Sequence, residues 1–484
     1  MIPPPTPAWL EASATDLAGR IRSGALTAEA VVSACLDRIA EVNPLLNAVV
    51  QQRAAAALEE ARHADRLAAG GRVLGPLHGV PITIKDSFDT AGLISTAGTL
   101  GRREFVPQRD ATIVQRLKCA GAIVLGKTNT PELTLAYEAN NLVYGLTRNP
   151  HDLSRGTGGS SGGAAAIVAA CGSALDMGSD TAGSIRYPAH CCGVAGLKPT
   201  SGRVPRTGHI IGAAGLQQWL TTVGPLARRV EDLELALSII AGPDDGDPHV
   251  VPMPLRPSAE VELAGLRAAV FLDTPLARTT PDVRVGVERA AATLASAGVH
   301  VEEAMLPGFE RPFAFFPQIF GADGAAGLEA FVAALGTTTW SPPLLGALHL
   351  NRPYAVSSAD LCTLMLTIDQ WRTDAQRFAS GYDLLVGPVA ADVARPPVGD
   401  WNDPAVAWDA AIFSYLVPFN FTGAPVVAVP AGLSRAGLPI GVQCVAQPWR
   451  EDVALRAAQA IEVARNDGGS GGERQAPGAG APIP

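Results

Sequence analysis

Apolar positions first recur at helical spacing at Val31, Val32, Cys35, Leu36 and Ile39, which share one face of a predicted helix. Thr27 stands where an N-cap is needed, and Pro44 follows the expected end. Asp16 predicts a cap for a shorter helix ending near Gly24, and residues 53–68 predict a long amphipathic helix stopped by Gly70 and Gly71. Residues 47–50 read as a short strand, so the first part of the chain is expected to be mainly a helical layer. Further on the pattern changes. Short apolar runs at 82–85, 122–125, 173–177, 266–272, 299–303, 383–386, 426–429 and 440–444 read as strands. Helices are expected over 111–119, 162–170, 230–241, 283–297, 361–379 and 451–464. Thr130-Pro131-Glu132 is expected to open one more, with proline at its first position. Residues 308–354 are rich in Phe, Pro and Leu and show no clear period. Helix-then-strand order with short apolar strands predicts an α/β fold with a largely parallel sheet.

Composition adds little to this picture but excludes some functions. Hydrophobic residues make up 47% of the 484 positions and charged residues 17%, which is enough for a large core. A net charge of −9, with no block of basic residues, argues against nucleic-acid binding. The first ten residues are Pro-rich and lack the charged and apolar regions of a secretory signal. No apolar run reaches the length of a membrane span. Seven scattered cysteines suit reduced thiols in a cytoplasm. His190-Cys191-Cys192 lacks the spacing of a metal site and is expected to be buried structure. The stretch from 466 to 484 is Gly, Pro and polar residues, and a disordered tail is expected there.

Candidate chemistry concentrates in residues 156–200. Ser160 and Ser161 stand in one glycine-rich loop and Ser184 in another, separated by the small-residue run 162–170. Glycine beside a serine lets the backbone bend sharply and approach a ligand. Successive loop amides can then converge on one negative oxygen. Gly158-Gly159-Ser160-Ser161-Gly162 also fits the G-x-S-x-G nucleophile elbow. That elbow needs a strand immediately before it, and residues 152–156 read as a loop. It also needs a histidine partner, and His209, His249 and His300 sit in no distinctive context. Lys85 ends the strand 82–85, between Ile84 and Asp86.

Several segments occur together and in register. They are Gly158-Gly159-Ser160-Ser161-Gly162-Gly163, Gly178-Ser179-Asp180-Thr181-Ala182-Gly183-Ser184-Ile185-Arg186, and Cys192-Gly193-Val194-Ala195-Gly196-Leu197-Lys198-Pro199-Thr200. With His78-Gly79-Val80-Pro81-Ile82-Thr83-Ile84-Lys85-Asp86 upstream, and Gly437-Leu438-Pro439-Ile440-Gly441-Val442-Gln443 near the end, the chain resembles the amidase signature family. The resemblance runs from about residue 16 to 464 and is weakest between about 242 and 380. It implies a single large α/β domain over 1–465, with a twisted mixed β-sheet covered by helices on both faces. Its core would span 74–241, and 242–380 would be a variable substrate segment.

The resemblance also implies a Ser-Ser-Lys catalytic set. The nucleophile falls on Ser184, the relay serine on Ser160, joined to its neighbour by a cis peptide bond, and the base on Lys85. The oxyanion hole falls on the backbone N–H groups of Thr181, Ala182, Gly183 and Ser184. Ala182 departs from the glycine common there, which leaves the N–H in place but restricts the backbone. A base at Lys85 must be neutral, so its pKa must fall by roughly three units from about 10.4, a shift that burial can supply. Asp180 and Arg186 are expected to pair and hold the loop around Ser184, and Ser161 to support the site from behind, reaching toward Lys85. No metal or organic cofactor is implied.

The expected activity is amide hydrolysis, extending to aryl amides, esters and aryl carbamates, by a monomer or homodimer without nucleic-acid or membrane partners. Tyr137, Phe313, Phe316, Phe320 and Trp340 are the candidate pocket. Two alternatives remain: a glutaminase subunit of a tRNA-dependent amidotransferase, and a non-catalytic binding protein on the same fold.

Overall fold

The computed structural model describes residues 2–212, 215–216 and 218–469. These residues form an eleven-stranded sheet. Its strands are β1 (Val49–Gln52), β2 (Pro81–Lys85), β3 (Ile123–Thr128), β4 (Leu175–Asp180), β5 (Ala195–Lys198), β6 (Thr222–Ala227), β7 (Arg267–Val270), β8 (His300–Glu303), β9 (Leu384–Pro388), β10 (Val426–Leu433) and β11 (Pro439–Ala446). They lie in the order β1-β3-β2-β4-β6-β5-β10-β11-β9-β7-β8.

The sheet is mixed, as the family resemblance implies, and not the largely parallel one that element order alone predicts. Parallel pairing is confined to β3–β2–β4 and β8–β7–β9, and the pairings between them are antiparallel. β6 runs antiparallel between β4 and β5, and β10 and β11, which arrive late in the chain, enter antiparallel between β5 and β9. Helices cover both faces, so β2, β3, β4, β9 and β11 are buried along their whole length.

Several boundaries differ from expectation for local reasons. The first helix, Ala14–Arg22, is capped by Ser13 and not Asp16, since the Ser13 hydroxyl accepts the Asp16 N–H at 3.0 Å. The next, Ala28–Leu46, is capped by Thr27 as expected but runs through Pro44. It stops where the Asn43 side chain accepts the N–H groups of Ala48 and Val49, each at 2.8 Å. The helix expected from Thr130 is a single turn, Glu132–Thr134, with Leu133 and Thr134 at positive φ. Here the buried Glu132 carboxylate is drawn to the Thr99 hydroxyl and the Ser341 N–H, and this overrides the proline start signal. The aperiodic stretch 308–354 contains three helices, Arg311–Phe320, Ala326–Ala334 and Pro342–Asn351. The last helix, Glu451–Gly469, extends past its expected end into the first residues of the expected tail; the rest of that tail lies outside the described residues.

No described helix is long and apolar enough to cross a membrane. His190, Cys191 and Cys192 are buried on the helix Arg186–Cys192. The His190 ring accepts the Gly441 N–H at 2.9 Å and lies 3.0 Å from the Asp392 carbonyl, so both nitrogens face backbone.

Candidate active site

β2 and β4 lie side by side and parallel, with Ile84 opposite Met177. Their C-terminal ends therefore present Lys85 and Ser179 together, at the end of a parallel pair where ligands gather in open α/β sheets. Ser160 comes from the loop that enters the helix Gly162–Ala169, which packs against both strands. The Gly159–Ser160 peptide is cis. A Cβ on Gly159 would lie 2.5 Å from the Glu138 nitrogen, so only glycine lets this loop pass. No strand precedes it, which excludes the nucleophile-elbow geometry.

Lys85 is fully buried, and its Nζ lies 2.6 Å from Ser160 Oγ and 3.0 Å from Ser179 Oγ. Burial pulls its pKa down from 10.5 to about 7, while the charges of Asp180 and Asp176 act in the opposite sense. The lysine is thus half-neutral near pH 7, as a base must be. The Ser161 hydroxyl does not reach Lys85. It lies over Gly178 and points to the Ser179 carbonyl at 3.5 Å, and Ser179 makes the contact that Ser161 was expected to make. The Ser161 N–H instead donates to the Ser184 carbonyl at 3.1 Å, tying the two serine loops together. Among the described residues no hydrogen bond joins the Ser160 and Ser184 hydroxyls. Such contacts commonly tighten only when substrate is in place.

Ser184 is half-buried at the end of a loop shaped by Asp180. The Asp180 carboxylate accepts the N–H groups of Gly183 at 2.8 Å and Ile185 at 3.1 Å. It also receives Arg186 Nε at 3.0 Å, Arg186 Nη2 at 2.9 Å and Asn420 Nδ2 at 2.9 Å. Burial would raise the Asp180 carboxyl, but the Arg186 charge and these hydrogen bonds more than reverse this and hold it well below the usual range. Arg186 is equally buried and also donates to the Leu416 carbonyl and the side chains of Asn420 and Gln443. The expected pair is therefore the centre of a buried network.

Gly183, expected among the oxyanion donors, has its N–H engaged by Asp180. At φ +105°, with Leu416 where a Cβ would be, it is the pivot of the loop. The N–H groups of Thr181, Ala182 and Ser184 make no hydrogen bond among the described residues, which leaves them free for a ligand oxygen.

A cavity of about 400 Å³ has Leu133, Leu135, Ile210, Ile211, Phe320, Leu328 and Phe331 in its wall; Ile210 and Ile211 directly follow His209, whose ring lies 3.0 Å from Ser179 Oγ. Of the five aromatic residues expected to form the pocket, Phe320 lines this cavity, and Tyr137 lines a smaller one with Gly158 and Tyr187. Phe316 stacks between Phe320 and Trp408, with centroids at 4.2 and 4.5 Å, and Phe313 stacks on Trp408 at 5.4 Å. Trp340 packs on a small core of Leu133, Val332 and Leu344. Tyr137 runs past Gly159 and packs edge-on against Phe413. Behind Phe320, the rest of the column backs the cavity wall. Sequence reasoning missed Ser179, Asn420 and the placement of His209. Only the position of Ser179 beside Asp180 in a motif segment hinted at a role.

A family model described as Amidase matches residues 30–455. The chain belongs to the amidase signature family. It is 36% identical over 470 residues to an indoleacetamide hydrolase of Bradyrhizobium diazoefficiens, covering 95% of this chain and 87% of that protein. It is 35% identical over 474 residues to a glutamyl-tRNA(Gln) amidotransferase subunit of Moorella thermoacetica, covering 93% and 96%. Its fold matches 6-aminohexanoate cyclic dimer hydrolase in complex with substrate, at a TM-score of 0.83 and 29% identity over 94% and 97% of the two chains. It also matches a peptide amidase, at a TM-score of 0.79 and 31% identity over 94% and 98%. The protein is an amide-cleaving hydrolase of this family.

Proposed function

We propose that the protein hydrolyses the amides of apolar or aryl carboxylic acids through an acyl-enzyme on Ser184. The observation that carries this reading is the 2.6 Å contact between Ser160 Oγ and a buried lysine whose pKa is lowered to about 7. Neutral Lys85 takes the Ser160 proton as Ser160 takes that of Ser184, and the Ser184 oxygen attacks the amide carbon. The oxyanion is received by the free N–H groups of Thr181, Ala182 and Ser184; one such donor contributes about 3–4 kcal/mol in comparable sites. On collapse the C–N bond breaks and the proton returns through Ser160 to the leaving amine. Water then attacks the ester, again losing its proton through Ser160 to Lys85; as the C–O bond to Ser184 breaks, that proton returns through Ser160 to the Ser184 oxygen and the acid is released. Asp180 and Arg186 shape the loop and take no part in the proton transfers.

The acyl preference follows from the cavity. Its charged lining residue is Asp323, and both Asp323 oxygens already accept backbone N–H groups, of Ala325 and Gly327 at 2.8 Å each. An arylacetamide of the kind named for the Bradyrhizobium relative suits such a wall. The likeness to the Moorella amidotransferase protein favours a second reading, glutaminase action. That reading requires a cation to hold the carboxylate of glutamine, and the described wall carries no Lys, Arg or His. A fluorophosphonate probe should label wild type once and Ser184→Ala not at all, and arylacetamides should be cleaved faster than glutamine. Labelling that survives in Ser184→Ala but vanishes in Ser160→Ala would overturn the assignment of the nucleophile. Preferred cleavage of glutamine would establish the second reading.

A further inference from the structure

Further along the chain of contacts that starts at Ser160 and Lys85 lies a histidine that the proton transfers above do not use. His209 is buried, and its Nε2 is 3.0 Å from Ser179 Oγ, the second neighbour of Lys85 Nζ. We infer that His209 is a positioning residue for the base, setting through the Ser179 hydroxyl the direction in which the Lys85 lone pair points. This inference rests on the reading of Lys85 as a neutral base.

The argument is one of donor and acceptor counting. A neutral amine has two N–H bonds and one lone pair. To receive the Ser160 proton the lone pair must face Ser160, so an N–H must be spent on Ser179. Ser179 then accepts from Lys85, and its own O–H must point elsewhere. His209 Nε2 is the acceptor it finds. Nε2 must therefore be unprotonated, and the ring proton sits on Nδ1, which lies 3.0 Å from the Ile211 carbonyl. All five groups are satisfied in one direction, from the Ser160 hydroxyl through Lys85, Ser179 and His209 to the Ile211 carbonyl. The other tautomer would let Nδ1 accept the Ile211 N–H at 3.2 Å. It would also aim Nε2–H at Ser179 and leave the Ser179 proton to turn onto the Lys85 lone pair, which closes the base.

The backbone holds His209 in step with Lys85. Asp89 N–H donates to the Gly208 carbonyl at 2.8 Å, and Ile210 N–H to the Ser87 carbonyl at 2.9 Å. The imidazole packs on the Phe88 ring with centroids 4.7 Å apart. The loop carrying His209 is thus stitched to the residues that directly follow Lys85. The imidazole stays neutral throughout, since burial and then the positive charges of Lys85 and Arg206 push its pKa down to about 3. The charged groups facing Lys85 itself are Asp176 and Asp180, both from β4.

The test compares His209→Phe, His209→Gln, His209→Asn and Ser179→Ala over pH 5–10, with an arylacetamide as substrate. His209→Phe keeps the ring and removes both nitrogens. It should lower the kcat plateau about tenfold to a hundredfold, in the range that small misplacement of a reacting group costs. The acid limb of kcat/KM should also move to lower pH, because the released Ser179 proton hydrogen-bonds the lone pair and favours the neutral amine. KM should stay close to wild type. Glutamine can place a carbonyl oxygen near the Nε2 position, so His209→Gln should recover most of the plateau, whereas the shorter His209→Asn should not. In the Ser179→Ala background His209→Phe should have little further effect. Wild-type plateau and limb in a folded His209→Phe enzyme would overturn the inference, as would equal losses with and without Ser179. If His209→Phe does not fold, the Gln and Asn variants decide, and equal activity in those two overturns it. An active Lys85→Ala enzyme would instead bring down the reading of Lys85, whatever the His209 variants show.

Discussion

Replacing Lys85 by arginine should nearly abolish activity, and no rise in pH should restore it. Near its ordinary value of 10.5, a lysine at pH 7 would be neutral in only about one molecule in three thousand. At about 7 it is neutral in half of them, so burial raises the competent fraction by about a thousandfold. That shift corresponds to about 5 kcal/mol, borne by the folded state. The sign follows from linkage. The folded pKa lies below the unfolded one, so the unfolded chain binds more protons between about 7 and 10.5, and this group makes stability rise with pH across that window. Arginine stays protonated and offers no lone pair at any accessible pH. Wild-type kcat/KM should fall about tenfold per pH unit below the limb and flatten above it. Asp176, pushed up to about 7 by burial, titrates in the same range, so the limb belongs to the pair. Asp176→Asn removes a charge that favours the ammonium and should move the limb to lower pH. The assay is initial-rate hydrolysis of an aryl amide from about pH 5 to 10 for wild type, Lys85→Arg, Lys85→Ala and Asp176→Asn. A Lys85→Arg enzyme keeping most of its activity, or a wild-type profile with no limb, would refute the reasoning.

Further outcomes are expected away from the lysine. Asp180→Asn leaves Arg186 buried without its charge partner and should cost about 3–5 kcal/mol, read as a shift in urea unfolding; a change under 1 kcal/mol would mean that Arg186 finds another partner. Phe316→Ala, in the stacked column, should lower stability by about 3–5 kcal/mol while leaving the ratio of arylacetamide to short aliphatic amide rates nearly unchanged. Phe331→Ala, in the cavity wall, should change that ratio, and an unchanged ratio would show that the acyl group binds elsewhere.

The parts legible in the sequence are those that local rules govern. The strand ending at Lys85, the helix after Thr27 and the serine loops each carry their own signals of period, cap or glycine. The helix Ala410–Phe421 carried no such signal, because nearly all its side chains are buried and its face has no polar side to set a period. Yet it supplies Leu416 and Asn420 to the loop around Ser184. Ser179 and His209 were equally silent: a serine inside a strand and a histidine in a loop acquire meaning only through register and tertiary contact. The aromatic cluster was legible as a cluster, but its division between stacked support and cavity wall depends on how three short helices turn.

The Arg186 network spans the chain. Its partners Leu416, Asn420 and Gln443 lie 230, 234 and 257 residues further on. During synthesis Lys85, Ser160 and Ser184 therefore emerge well before the residues that back the loop between Asp180 and Ser184. Until β10 enters beside β5, the sheet is also open at its middle. Contacts so distant in sequence are slow to close. A nascent chain therefore carries every reacting group of the enzyme in its first half, while the wall that aims them arrives only with its last hundred residues.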